Sequence, residues 1–462
     1  MNNSASDYFS GPLQRQNIFH IMVNRFAVID GMTLTFYKDE TRQKLDMTFE
    51  ITPDVIIDIN DCKNSHKFTI TAKDSSLTCC TEDTDKLMRW ILAIRGCTFY
   101  SKKISMDDFN IISVIGRGYS GKVMLCESKK DGELLAIKSV QKWKLAESKK
   151  VQTILIERSI LEHVNFPFIV SMKFAFQTEK NFYLGIEYVP GGELFNHMKN
   201  MRKLPLSEVK LYIAEIALAL NYLHSHGIIY RDLKAENVLI GKDGHVKLTD
   251  FGLSKICEST STFCGTIEYL SPEAVLHQNY GQQIDWWGLG VLTFELLFGY
   301  TPFFDPSRIR LFNNIVKNPP KFPNNTNPEV VEFINFVLVK DPKKRPGFHE
   351  IRRHSFFKEM DFEKVLKKEY SPVFIPTLQN NASIDNFDKE FTNENPDDSV
   401  ADLSVGKDDQ YLPGFSYEET HIMFDTDSER SFHSDDEEIV IDDQDDAKQN
   451  NHTNEETYPP SQ

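Results

Sequence analysis

Tyr230-Arg231-Asp232-Leu233-Lys234-Ala235-Glu236-Asn237, followed shortly by Asp250-Phe251-Gly252, decides how the rest of the chain is read. A carboxylate, an ammonium, an amide and a second carboxylate fall within one short, apolar-flanked span. That set suits the handling of a metal-bound phosphate beside a hydroxyl. The runs Asn237–Ile240 and His245–Thr249, split by the turn Gly241-Lys242-Asp243-Gly244, read as a hairpin with Asn237 and Asp250 at its two ends. A hairpin brings such ends together, so both residues are candidates to hold one cation. Read in isolation, the octapeptide is also an ordinary solvated loop of turn residues.

The chain has 462 residues, too many for one core, and 40% are hydrophobic. Its formal charge of −16 is uneven: from Glu418 onward 15 acids face only Arg430 and Lys448, leaving 53 acids and 50 bases elsewhere. A nearly neutral body with an acidic tail argues against nucleic-acid binding. The seven cysteines (62, 79, 80, 97, 126, 257 and 264) are odd in number and never form Cys-x-x-Cys. A reducing compartment fits, with no zinc or disulfide framework. The N-terminus lacks a basic start and an apolar run, and no apolar stretch is long enough to span a bilayer. The expectation is a cytoplasmic, monomeric protein.

Residues 11–96 alternate mostly with period two. Arg25–Asp30 and Met32–Lys38 flank Gly31 as a hairpin, and strands are expected at Val55–Ile59, Lys67–Thr71 and Leu77–Thr81. One helix, Asp83–Arg95, follows, with Leu87, Trp90, Ile91 and Ile94 on one face. The order resembles a pleckstrin-homology domain over 8–100, a small β-barrel closed by a helix. That resemblance implies phosphoinositide binding through bases on the first two strands, where this chain offers Arg15 and Arg25. Val23 stands where another base is usual. Reversible recruitment to the plasma membrane and a protein-contact or autoinhibitory role therefore remain two readings.

At Phe109 a strand runs into Gly116-Arg117-Gly118-Tyr119-Ser120-Gly121-Lys122-Val123. A dinucleotide fingerprint needs a helix straight after such glycines. Here a second strand follows, so the glycines form a hairpin tip able to lower N–H groups onto phosphates. The strand Leu134–Lys138 ends on a lysine, either a solvated edge residue or the partner of Glu157 on the helix Val151–His163. These motifs, then Tyr-Arg-Asp-Leu-Lys-x-x-Asn, Asp-Phe-Gly and Ser271-Pro272-Glu273, occur in the order of the eukaryotic protein kinases, covering 109–357.

That resemblance implies a bilobal fold, a β-rich small lobe and a helical large lobe, and it assigns roles. Ile115, Gly116, Arg117, Gly118, Tyr119, Ser120, Gly121, Lys122, Val123 and Ala136 would surround ATP. Lys138, held by Glu157, would contact its phosphates, and Glu187 and Val189 would bond the adenine, with Ile186 behind. Asn237 and Asp250 would hold Mg2+. Asp232 would be the catalytic base and Lys234 would stabilise the γ-phosphate, as in serine/threonine kinases. Glu193 would reach the ribose, and with Glu236 would bind arginines preceding the phosphoacceptor. Protein substrates with basic residues before Ser or Thr follow.

Pro205-Leu206-Ser207 reads as a helix start with Ser207 as N-cap, and Asp285–Gly299 as a buried helix whose Asp285 needs partners. Glu273 and Arg345 resemble the family's buried ion pair. Ser261-Thr262-Phe263-Cys264-Gly265-Thr266 resembles the activation loop of the AGC kinases. Thr262 is then a phosphosite for an upstream kinase, its phosphate facing Arg231 and Lys255. Ile267 and Ser271 depart from the family's Pro and Ala. Residues 358–424 resemble an AGC tail, with Ser399 at the turn phosphosite and Ser416 in the hydrophobic motif Phe415-Ser416-Tyr417. Leu412 replaces the usual Phe there, implying weaker docking on the small lobe, and Val400 replaces a Pro. Residues 425–462 read as an acidic disordered end. The three parts in order resemble the protein kinase B group. A pseudokinase scaffold, the rival reading, commonly lacks Lys138, Asp232 or Asp250, and all three are present.

Overall fold

The computed structural model describes residues 9–17, 19–52, 55–60, 66–73, 75–96, 104–118, 121–148, 150–257, 259–260, 262, 264–396, 412 and 415–418. The expectations for Tyr119, Ser120, Ser399 and the end at 425–462 lie outside these residues.

The first part holds β1 (Phe9–Gln16), β2 (Met22–Asp30), β3 (Thr33–Tyr37), β4 (Leu45–Glu50), β5 (Ile56–Asn60), β6 (Lys67–Ala72) and β7 (Ser75–Cys80). They form an antiparallel sheet in the order β4-β3-β2-β1-β7-β6-β5. Helix α1 (Thr84–Gly96) buries Leu87, Trp90, Ile91 and Ile94 in the same core, the face expected from their spacing. Among the described residues no ladder joins β4 to β5, so no closed barrel is found. Strand β1 carries Arg15, and neither its bounds nor β4 were among the strands expected. Pro12 is accommodated because β7 pairs with β1 only at Gln14 and Arg15, leaving that side of Pro12 without a ladder to disrupt.

The small lobe consists of β8 (Phe109–Arg117), β9 (Gly121–Ser128), β10 (Leu134–Gln141), α2 (Lys142–Glu147), α3 (Val151–His163), β11 (Met172–Gln177) and β12 (Asn181–Glu187). The glycines do join two strands, with Gly118 N–H donating to Gly121 C=O at 2.9 Å. The large lobe begins with α4 (Leu194–Met201), α5 (Leu206–Ser225), β13 (Ile228–Ile229), β14 (Val238–Ile240), β15 (Val246–Leu248) and β16 (Lys255–Ile256). It continues through α6 (Pro272–Val275), α7 (Gln283–Phe298), α8 (Arg308–Lys317), α9 (Pro328–Val337), α10 (Phe348–Arg353) and α11 (Phe362–Leu366).

Helix α7 is apolar on nearly all sides and buried without a break from Asp285 to Phe294, and it ends where Gly299 adopts φ +83°. One expectation is corrected at α5. Ser207 is not its N-cap; Pro205 holds that position in an extended conformation, with no side-chain cap, and Ser207 lies inside the first turn. Proline's fixed φ suits the helix entry, so the start falls earlier than the hydroxyl suggested.

The described residues after α11 form a strap that touches both lobes, with α12 (Lys389–Thr392), and a separate short strand β17 (Tyr417–Glu418). Two glycines admit it: a Cβ on Gly192 would stand 2.3 Å from Asn386 O, and one on Gly244 2.3 Å from Phe374 O. Phe374 stacks on His197 at 3.8 Å, and β17 adds to the edge of β11. Among the described residues, no helix is long and apolar enough to cross a membrane.

Candidate active site

The loop between β13 and β14 is anchored from below. Buried Asp285 accepts the backbone N–H of Tyr230 at 2.9 Å and of Arg231 at 2.8 Å, and pairs with His224 Nε2 at 2.8 Å. These bonds hold Arg231 at φ +68°, a left-handed conformation that a bulky residue adopts only under constraint. The turn so made presents Asp232 at the base of the cleft. Asn237 Nδ2 donates to Asp232 O and Oδ2, both at 2.8 Å, and Lys234 Nζ reaches Oδ2 at 3.0 Å. Among the described residues, Oδ1 keeps only a long contact, 3.4 Å, from Thr266 Oγ1. With both amide hydrogens of Asn237 committed to Asp232, its oxygen is the group left for a cation.

The expected hairpin β14–β15 forms with Val238 opposite Leu248, and Thr249 N–H donates to Asn237 C=O at 3.0 Å. Asp250 therefore arrives beside Asn237, at φ +56°. Lys138 Nζ bonds both Glu157 oxygens at 2.7 and 2.9 Å and Asp250 Oδ1 at 3.2 Å. Burial works against the Lys138 charge, but Asp250 and Glu157 outweigh it and hold its pKa above the usual lysine range. Lys138 in turn holds the Asp250 carboxyl below its ordinary value against the effect of burial. Asn237 and Asp250 offer two hard oxygen donors, and among the described residues no group of three or more His, Cys, Asp or Glu forms a metal cage. Such a sparse oxygen set fits Mg2+ completed by phosphate oxygens and water.

In the small lobe Ile115, Val123, Leu125, Ala136, Ile186 and Tyr188 form one apolar cluster, with Phe387 of the strap packed against it. Gly121 is required by close packing, since its Cβ would sit 1.8 Å from Ser139 O, whereas Gly118 faces open space. Val189 is buried just after β12, and Glu187 Oε1 accepts from Lys247 Nζ and Ser171 N–H, each at 2.8 Å. Arg117 and Lys122 stand opposite each other at the hairpin base.

Glu193 and Glu236 come together as expected. Burial pushes the Glu193 carboxyl up to about 7, helped by Glu236 and Asp388 and opposed by Lys234. The sequence reading missed a further acid here, Glu295 on α7, which accepts the Tyr269 hydroxyl and is also raised to about 7, chiefly by burial. Its signal was present: a carboxylate interrupting the apolar run that follows Asp285 on α7.

Thr262 is exposed. Lys255 Nζ bonds Thr260 Oγ1 at 3.1 Å, and that hydroxyl lies 3.2 Å from Thr262 Oγ1. Arg231 spends Nε on Leu253 O at 2.6 Å and Nη2 on Ser254 O at 3.2 Å, while among the described residues buried Nη1 has no hydrogen-bond acceptor. In the tail, Leu412 and Phe415 are both buried, so the replacement at Leu412 does not prevent docking. Phe415 packs on Phe182 at 4.5 Å and its C=O accepts Arg158 Nε at 2.9 Å, leaving Ser416 exposed. In the first part, Arg15 and Arg25 do meet, but on Asp46: Arg15 Nε donates at 2.6 Å and Arg25 Nη2 at 3.2 Å. Arg25 foremost, with Arg15, holds the Asp46 carboxyl below its usual range despite partial burial.

Residues 109–357 match the family described as the protein kinase domain, and residues 378–417 the protein kinase C terminal domain. The chain is 40% identical over 342 residues to the RAC serine/threonine-protein kinase of Drosophila melanogaster, covering 71% of this chain and 56% of that protein. It is 35% identical over 404 residues to the RAC family serine/threonine-protein kinase homolog of Dictyostelium discoideum, covering 82% and 89%. With serine/threonine-protein kinase Sgk2 of Mus musculus it shares 39% over 325 residues, 67% of this chain and 88% of that one. The chain spans about half the length of the fly and yeast relatives it matches. The kinase and C-terminal domain matches, with these relatives, show that the chain belongs to the AGC serine/threonine protein kinases and resembles protein kinase B.

Proposed function

We propose that the chain transfers the γ-phosphoryl group of Mg-ATP to serine or threonine in proteins carrying arginine before the acceptor. The observation that carries this reading is the shared carboxylate of Asp232. Lys234 and Asn237 fix Oδ2, and Oδ1 is the oxygen open to a substrate hydroxyl. The acceptor O–H loses its proton to Asp232 as its oxygen bonds the γ-phosphorus and the bond to the β-phosphate oxygen breaks, with ADP leaving. Asn237 and Asp250 would hold Mg2+, which when bound would neutralise charge on the phosphates. Lys138 grips the α- and β-phosphates and Lys234 the γ-phosphate, so positioning and charge supply most of the catalysis. Glu193, Glu236 and Glu295 form the acidic floor for substrate arginines. An Arg-rich serine peptide and its Arg-to-Ala counterpart test this: KM should rise steeply without the arginines, and equal KM values refute the basic preference.

Regulation follows from the loop and the tail. A phosphate on Thr262 supplies the acceptor that Arg231 Nη1 lacks and meets Lys255. Phosphorylation of Ser416 acts on a motif already docked by Leu412 and Phe415, and Ser399 is the third site. The N-terminal domain carries two readings. Arg15 and Arg25 are placed for a phosphoinositide headgroup and recruitment to membranes. Their shared grip on Asp46 favours the alternative, a protein-binding domain, because a phosphate has to displace that carboxylate first.

A further inference from the structure

The chain around Thr262 is tied to the chain before α7 at a residue that none of the kinase motifs includes. Thr260 and Tyr280 exchange both backbone N–H to C=O bonds at 2.8 Å, forming an isolated antiparallel bridge. From that bridge the buried Tyr280 side chain reaches back, and its hydroxyl donates to Thr262 C=O. Burial foremost, aided by Cys264 and opposed by Arg231, pushes the phenol up to about 12, so the hydroxyl keeps its proton and stays a donor. The hold passes on towards the site. Cys264 Sγ lies 3.9 Å from Tyr280 Oη, a Cβ on Gly265 (φ +100°) would stand 2.9 Å from Arg231 O, and Thr266 Oγ1 makes the 3.4 Å contact with Asp232 Oδ1. Packing fixes this segment incompletely, because a cavity of about 30 Å3 adjoins it, lined by Arg231, Asp232, Cys264, Thr266, Tyr280 and Asp285 among others. A directional bond matters more there than in a filled core.

We propose that Tyr280 is a positioning residue for phosphoryl transfer, its hydroxyl holding the Thr262 main chain in its working place whether or not Thr262 carries a phosphate. The proposal rests on the reading of Thr262 as the regulatory phosphosite. Because the bond ends on a carbonyl, it is independent of the Thr262 side chain and of any group attached to it. A phosphate bound to Arg231 and Lys255 restrains the same segment through that side chain. With the phosphate in place the two restraints overlap, and without it the tyrosine carries more of the burden. One hydrogen bond of ordinary net strength changes the population of the held segment by about twofold to tenfold.

The test uses the full chain as wild type, Tyr280→Phe, Thr262→Ala and the double variant, the first two each with and without phosphate on Thr262, verified by mass spectrometry. The readouts are kcat and KM for Mg-ATP and an Arg-rich serine peptide. Tyr280→Phe keeps the ring and the backbone bridge to Thr260 and removes only the hydroxyl. It should lower kcat about twofold to tenfold in the unphosphorylated protein and in the Thr262→Ala background, with KM for ATP unchanged. The phosphorylated Tyr280→Phe protein should stay within about twofold of phosphorylated wild type. The gain from phosphorylation is then larger in Tyr280→Phe than in wild type, a change that a general loss of stability does not produce. Equal losses in both phosphorylation states, or no loss in the Thr262→Ala background, overturn the proposal. A wild-type rate that Thr262 phosphorylation does not raise overturns the phosphosite reading instead, and the Thr262→Ala pair still decides on Tyr280.

Discussion

Replacing Asp285 with alanine should disable the site from beneath without touching any group that meets substrate. Asp285 is buried and makes three hydrogen bonds, at 2.8 to 2.9 Å, to Tyr230 N, Arg231 N and His224 Nε2. Truncation leaves two backbone N–H groups and an imidazole nitrogen without their acceptor, at about 1–3 kcal/mol each. Partial relaxation and water entry bring the expected loss to about 3–5 kcal/mol, the range for a broken buried charged contact. The left-handed Arg231 then loses the acceptor for its backbone N–H, and strain of about 1–3 kcal/mol is relieved by moving the loop that carries Asp232. Trp286 sits edge-on to His224 at 5.1 Å, so it is one of the four tryptophans whose fluorescence in urea follows the loss. The variant should show a lower midpoint and a kcat reduced at least tenfold, with KM for ATP changed little, since most residues expected around ATP lie in the other lobe. A variant with wild-type midpoint and kcat within twofold would refute the anchoring role.

Three further outcomes follow. Glu193 and Glu295 ionise near pH 7, so KM for an Arg-rich peptide should fall as pH rises from about 6 to 8, and Gln at both positions should flatten that profile. The same raised values mean that these two carboxyls favour the fold at low pH, an advantage lost as pH climbs from the ordinary 4.5 through about 7. Thr262→Ala should lower activity strongly, and Arg231→Leu should abolish the gain that an activating kinase gives wild type, read by comparing rates before and after loop phosphorylation. Asp46→Asn should raise affinity for phosphoinositide vesicles over neutral ones if Arg15 and Arg25 serve lipid; no change in either vesicle favours the protein-binding reading.

Much of the site was legible because its groups are local or sit on regular elements. The Asn237–Asp250 hairpin, the α3 helix with Glu157 and the α1 face each follow from spacing along one segment. What stayed hidden depends on contacts remote in sequence. Nothing near Asp46 marks it as the partner of Arg15 and Arg25, because the meeting is made by sheet order. The strap's grip on Gly192 and Gly244 is likewise long-range. Glu295 was visible as an anomaly, but only the packing of α7 under the Tyr269 segment gave it a role. Ser207 misled because a capping hydroxyl and a helix-entering proline stand two residues apart, and the proline won.

The central claim is that Asp232 takes the acceptor's proton during phosphoryl transfer. Asp232→Asn keeps the shape of the loop and removes the charge, so the decisive measurement is phosphate incorporation from Mg-ATP into an Arg-rich serine peptide, wild type against that variant. Incorporation should fall by about 10²–10⁴-fold with ATP affinity preserved. Equal incorporation by the two proteins contradicts the mechanism.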